Sequence, residues 1–106
     1  MLKAEIEIIF YKSESEQTSY NADKITSLTF MLDSNDYYIG FIDGQKNDKK
    51  YVFNCKYSLR FKFPSLIESN CNKYLTKWKY DNEVSICLGA KIIGEGRVIS
   101  YSLIDD

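Results

Sequence analysis

Three glycines fall within ten residues near the C-terminal end, in Gly89-Ala90-Lys91-Ile92-Ile93-Gly94-Glu95-Gly96-Arg97-Val98. A glycine-rich loop cradles phosphate when its backbone N–H groups converge at the start of a helix. Here Gly96 is followed by Arg97-Val98-Ile99-Ser100-Tyr101-Ser102-Leu103, an alternating run of strand character, and the P-loop Lys-Ser/Thr is absent. The structural reading is the better one. Gly94 and Gly96 share one strand face, where a residue without Cβ allows a sharp bend or the close approach of another backbone. Gly89 belongs to the turn that precedes them.

Other groups that could do chemistry are few. With no His, the chain has no His-based triad, no imidazole general base and no imidazole metal ligand. Carboxylates lie close in sequence at Glu5/Glu7, Glu14/Glu16, Asp33/Asp36 and Asp105/Asp106. All fall on polar rows, loops or the tail, whereas general acid–base work needs a carboxyl in a shaped, partly dry pocket. Cys55, Cys71 and Cys87 are too widely spaced for a zinc site and odd in number for a disulfide framework. They read as buried reduced thiols. These residues predict no enzyme activity, no cofactor and no metal.

Cations offer a second feature. Residues 1–55 hold six Lys and nine acids; residues 56–97 hold eight Lys or Arg and four acids. In the second segment Lys56, Arg60 and Lys62, then Lys73, Lys77 and Lys79, recur at even spacing. Two strands carrying these rows side by side would present one basic patch to phosphates or to an acidic protein. The plainer reading is a solvated lysine row that protects strands from pairing with other chains. Phe61, Phe63, Trp78 and Tyr80 lie among these cations, as in single-strand nucleic-acid binders. Alternation puts them on the opposite face, where they read as core.

The elements that must position these residues follow from a period of two. Leu2, Ala4, Ile6, Ile8 and Phe10 alternate with Lys3, Glu5 and Glu7, a half-buried strand. Further strands are expected at Ile25–Leu32 and Tyr37–Ile42, separated by the turn cluster Asp33-Ser34-Asn35-Asp36. Tyr51–Phe63 is the longest alternation and is expected to be one strand ended by Pro64, which lacks the N–H a ladder needs. A short turn or helical piece follows at Ser65–Asn72. A strand is then expected at Tyr74–Tyr80, followed by Val84–Leu88 and Arg97–Leu103. Such a series predicts an all-β barrel or sandwich of at least six antiparallel strands.

The whole chain of 106 residues suits one domain. Its formal net charge of -1 argues against a strongly basic nucleic-acid protein. No stretch approaches the roughly 20 apolar residues of a membrane helix, and the first residues lack the pattern of a signal peptide. A cytoplasmic protein is the expectation, with no membrane partner.

The segment Ile86–Val98 resembles the end of the C-terminal β-barrel domain of elongation factor Tu. That pattern is an apolar strand, a Gly-Gly-basic turn, then Val-Gly-x-Gly-x-Val. Gly89, Lys91, Ile93, Gly94, Gly96 and Val98 match it in place, with Ala90 for the second turn glycine and Leu88 for a usual acid. Lys3–Ile8 resembles that domain's first strand, and Tyr57–Pro64 its strand ending before a proline. Of the family's Gly-Tyr-Arg-Pro-Gln-Phe stretch only Leu28-Thr29-Phe30 has a counterpart. The resemblance implies a closed six-stranded antiparallel β-barrel. It implies no GTP hydrolysis, since nothing here matches the family's GTPase domain; Asn72-Lys73 lacks the Asp of the guanine motif, Leu75 standing there. In the full factor this barrel contacts transfer RNA and the exchange factor. A non-catalytic binding module for a protein or RNA partner is the expected function. A small bacterial immunity or antitoxin-like protein with a charged face is the alternative, and the oligomeric state is open.

Overall fold

The computed structural model describes residues 1–12, 19–33, 36–44, 49–67, 69–70, 72, 75–76, 83–89 and 91–104, with backbone only at 32, 33 and 36. Among the described residues eight strands follow one another: β1 (Leu2–Phe10), β2 (Ser19–Asn21), β3 (Ser27–Asp33), β4 (Asp36–Ile42), β5 (Lys50–Val52), β6 (Lys56–Phe63), β7 (Glu83–Leu88) and β8 (Lys91–Leu103). Six of them close into an antiparallel barrel in the order β1-β6-β4-β3-β7-β8, and β2 with β5 forms a separate two-stranded ribbon. The closed six-stranded antiparallel barrel is therefore the observed fold.

Alternation decides which side of each strand enters the barrel. Every even residue of β1 from Leu2 to Phe10 is buried and every odd one between is half-buried. β4 sends in Tyr38 and Gly40, β6 Leu59, Phe61 and Phe63, β7 Val84 and Ile86. Two aromatic groups fill the interior. Phe30, Tyr38, Phe61 and Phe63 pack edge-on or stacked with centroids 5.0–5.8 Å apart along most contacts, geometries that ring quadrupoles favour. Phe10 stacks on Tyr51 at 5.1 Å, and Tyr20 and Phe53 extend that group, so the β2–β5 ribbon plugs one end of the barrel.

β8 is long because it serves two partners. Its first half pairs with β7 and most of its length with β1. Ile93 is an extra residue opposite β7, and Ile99 an extra residue opposite β1. Such bulges bend a strand and increase its twist, which lets one strand turn around a small barrel.

Three expected elements differ, the first being the strand expected at Arg97–Leu103, which begins at Lys91 and includes Gly94 and Gly96. Tyr51–Phe63 is not one strand: Phe53 and Asn54 form a turn, Asn54 has φ of 64°, and Cys55 is exposed. The apolar alternation continues through the break because β5 and β6 both send aromatics into the same interior. The expected strand at 74–80 fails where it is described, because Leu75 and Thr76 are helical. There the Thr76 hydroxyl donates to the Asn72 carbonyl at 2.8 Å, a bond within one helical turn. Trp78 and Tyr80 lie outside the described residues.

Candidate functional site

The outer wall formed by β6, β1 and β8 carries most of the described charge. β6 turns Lys56, Ser58, Arg60 and Lys62 outward while Leu59, Phe61 and Phe63 enter the core. Antiparallel register then sets Lys62 beside Lys3, Arg60 beside Glu5, and Ser58 beside Glu7. On the far side of β1, Ser100 lies beside Glu5 and Arg97 beside Glu7. Cation and acid therefore interleave.

Several of these groups are engaged. Ser58 Oγ donates to Glu5 Oε1 at 2.8 Å, Lys56 Nζ lies 3.8 Å from Glu7 Oε1, and Lys3 Nζ lies 3.3 Å from Asp43 Oδ2. The Arg60 guanidinium has no ion-pair partner among the described residues. It borders an open depression of about 410 Å³ that is also lined by Lys3, Glu5, Asp43, Ser100 and Tyr101. Lys3 and Lys62 face each other across strands, a pairing of like charges that is unfavourable unless a counterion is near. Asp43 supplies one such group beside Lys3. At the opposite end of the wall, Glu7, Lys56, Glu83, Glu95 and Arg97 surround a smaller depression of about 160 Å³, and there acids outnumber cations.

Of the basic patch expected from two paired rows, only the row on β6, Lys56, Arg60 and Lys62, lies among the described residues. β6 is paired with β1 along its length and with β4 at Phe61 and Lys62. Lys73, Lys77 and Lys79 lie outside the described residues. Lys56, Arg60 and Lys62 are outward as expected, but as members of a mixed-charge wall.

The glycines are structural. Gly89 has φ of 63° and opens the tight turn between β7 and β8, a conformation that costs other residues energy. Gly94 lies opposite Phe10 on β1 and Ile86 on β7; Gly96 lies opposite Ile8 and Val84. A Cβ on Gly96 would meet Ile6, Ile86 and Val84 side-chain carbons at 3.0–3.2 Å. Both glycines sit in a strand paired on each side, so their backbone groups belong to ladders and not to an anion cradle.

Among the described residues no charged, amide, Ser or Thr side chain is buried, and no group of three His, Cys, Asp or Glu is placed to hold a metal ion. No helix among them is long and apolar enough to cross a membrane. Cys87 is buried, and burial pushes its thiol pKa up; Cys55 is exposed, against the expectation of three buried thiols; Cys71 lies outside the described residues.

Two positions were not legible as sites. Tyr11 is partly exposed just past β1, and its backbone N–H donates to the Ile93 carbonyl at 2.8 Å. Its hydroxyl pKa is raised, first by desolvation and then by Glu95, to which it is hydrogen-bonded, and by Glu83. Gly40 carries the second: a Cβ there would lie 2.5 Å from Phe63 Cε1 and 2.7 Å from Phe30 Cε2. An isolated glycine inside a strand pattern is the signal for such close approach.

No family model matches the chain, and neither does any curated protein or solved structure.

Proposed function

We propose that this chain is a non-catalytic binding module, an elongation-factor-Tu-like barrel that holds a protein partner at the end of the charged wall where Lys3, Arg60 and Lys62 gather. The observation that carries this reading is Arg60. Its guanidinium has no ion-pair partner among the described residues and borders an open depression beside Tyr101 and Ser100. A planar guanidinium fork suits a carboxylate, and an aromatic ring beside it adds apolar contact area. The partner surface therefore presents Asp or Glu side chains. RNA suits this wall less well. A phosphate backbone needs a run of cations, and Glu5, Glu7 and Asp43 interrupt the run here.

The test is affinity capture with crosslinking from the cell that makes the protein, using wild type and Arg60→Glu/Lys62→Glu. A partner held by wild type and lost by the double variant supports the reading. Identical partner sets for both overturn it. A single-stranded RNA oligomer, titrated at low and at physiological salt, supplies the second arm. Saturable binding with a steep salt slope replaces the protein partner with RNA. Should the captured partner be a toxin that the barrel neutralises, the module is an immunity protein.

A further inference from the structure

Arg60 has a carboxylate neighbour on each side, and each is bound elsewhere. On β1, Glu5 is its register partner. Glu5 Oε1 instead accepts from Ser58 Oγ at 2.8 Å, further along β6. On the other side, the Asp43 N–H donates to the Arg60 carbonyl at 2.8 Å, which carries the β4–β6 pairing one residue further. The Asp43 carboxylate, however, meets Lys3 Nζ at 3.3 Å. Lys3 belongs to β1, so this ion pair reaches over β6. The described lining of the depression holds Lys3, Arg60, Glu5 and Asp43, and their formal charges cancel. Of its two cations, Lys3 is already matched. A ligand therefore meets one guanidinium fork flanked by two fixed carboxylates, with Ser100 and Ser102 of β8 beside Glu5 and Lys3.

We infer that Asp43 is the specificity-determining residue of this depression: by occupying Lys3 it restricts the site to the carboxylate of an Asp or Glu and rejects a phosphorylated side chain. This rests on the binding-module reading and names the anion that the partner brings. A carboxylate carries one charge and two coplanar oxygens, which match the parallel N–H bonds of a guanidinium. A phosphorylated serine carries a charge of about -1.5 to -2 at neutral pH and three acceptor oxygens. One guanidinium leaves part of that charge uncompensated, next to Glu5 and Asp43. Like charges set side by side are a means of refusing a wrong partner. With Lys3 released, the same depression offers two cations, and clustered cations are how phosphorylated motifs are held.

The substitution that isolates this effect is Asp43→Asn. It keeps the side-chain shape and the backbone N–H that Arg60 uses, and removes only the charge. The Lys3 and Asp43 side chains are exposed by 37% and 33%, so their pair contributes little to the stability of the barrel.

Two peptides blocked at both ends serve as probes: Gly-Ser-Glu-Ser-Gly, and the same peptide with phosphoserine in place of its Glu. Each is titrated to about 10 mM into the isotope-labelled full chain at low salt, a range that captures weak binding. The amide shifts of Arg60, Ser100 and Ser102 report occupancy. Wild type is expected to bind the Glu peptide at least about fivefold more tightly than the phosphopeptide. Asp43→Asn is expected to strengthen phosphopeptide binding by about tenfold and to reverse that order. Lys3→Met added to Asp43→Asn should abolish the gain, which a general loosening of the fold would not do. Three results overturn the inference: a wild type that favours the phosphopeptide or binds neither probe, an unchanged order in Asp43→Asn, or a gain that survives Lys3→Met. The capture experiment with Arg60→Glu/Lys62→Glu leaves Lys3 and Asp43 intact and so judges the binding-module reading separately. A partner lost there, with the wrong peptide order here, removes the role of Asp43 and keeps the docking site.

Discussion

The Ile9 carbonyl oxygen lies 2.5 Å from where a Cβ on Gly94 would stand, and Phe10 Cα lies 3.2 Å from it. The neighbour at Gly94 is backbone in a paired strand and cannot turn aside. At Gly96 the neighbours are side-chain carbons of Ile6, Ile86 and Val84, which can rotate. Gly94→Ala is therefore expected to destabilise the barrel by about 1–3 kcal/mol through overpacking, and Gly96→Ala by clearly less. Urea denaturation midpoints of the two variants check the order. Equal midpoints would remove the distinction between backbone and side-chain neighbours.

Gly40 faces ring edges and not backbone. Phe30 and Phe63 are fully buried with centroids 5.2 Å apart, and both would meet a methyl group on Gly40. Gly40→Ala is expected to cost about 1–3 kcal/mol. Phe63→Leu removes one of the obstructing edges. The double variant should then lose less than the sum of the two single losses, as contacting residues do when one substitution relieves the other. Strict additivity in a double-mutant cycle would refute the contact.

The thiols should separate by reactivity. Cys55 lies exposed after the Asn54 turn, whereas Cys87 is buried with its pKa raised by desolvation. The thiolate is the reacting species, so a buried thiol with a raised pKa is slow twice over. In a Cys71→Ser background at neutral pH, a maleimide should label Cys55 promptly, and Cys87 only as the barrel opens. Mass spectrometry of tryptic peptides over time reads the order. Comparable rates at both positions would show that β7 does not shelter its cysteine.

Tyr11 predicts an alkaline limit. Its raised pKa, from desolvation together with Glu95 and Glu83, means that the folded protein favours the neutral phenol more than the unfolded chain does. The stability this brings is fully present below the ordinary tyrosine pKa of about 10. It is lost as pH rises through the higher folded value. Tyr11→Phe should flatten that part of the decline, because no phenolate then forms beside two carboxylates. Thermal melts of wild type and variant across alkaline pH check this. Parallel curves would exclude Tyr11 as the source.

β6 was legible because its apolar residues keep one parity, and β1 because only Ile9 departs from the row Leu2 to Phe10. The reading failed where alternation outran structure. Phe53 is buried like Tyr51 two residues before it, so pattern alone gives no sign that Asn54 turns the chain with a positive φ. Leu75 falls in sequence on the parity of Lys73, Lys77 and Lys79, yet it lies in a helical turn and packs against the core. The outward row Lys56, Arg60 and Lys62 was readable from β6 itself. What lies beside it was not. Whether Arg60 meets Glu5 or another cation depends on a register between strands more than fifty residues apart, and nothing local in either strand states that register.

Barrel closure sets an order for folding. β1 sits between β6 and β8, and β8 comes last in sequence among the described strands. β3 with β4, and β7 with β8, are hairpins whose partners are close in sequence and can meet early. β1 has no local partner at all. During synthesis its apolar row, Leu2 to Phe10, must wait unpaired until β6 has emerged, and its other edge until β8 has. Non-local pairing of this kind slows folding and leaves a sticky segment exposed meanwhile. Lys3, Glu5 and Glu7 alternate through that segment. Their earliest service is to the unfinished chain, where they keep β1 soluble before it has any neighbour in the barrel.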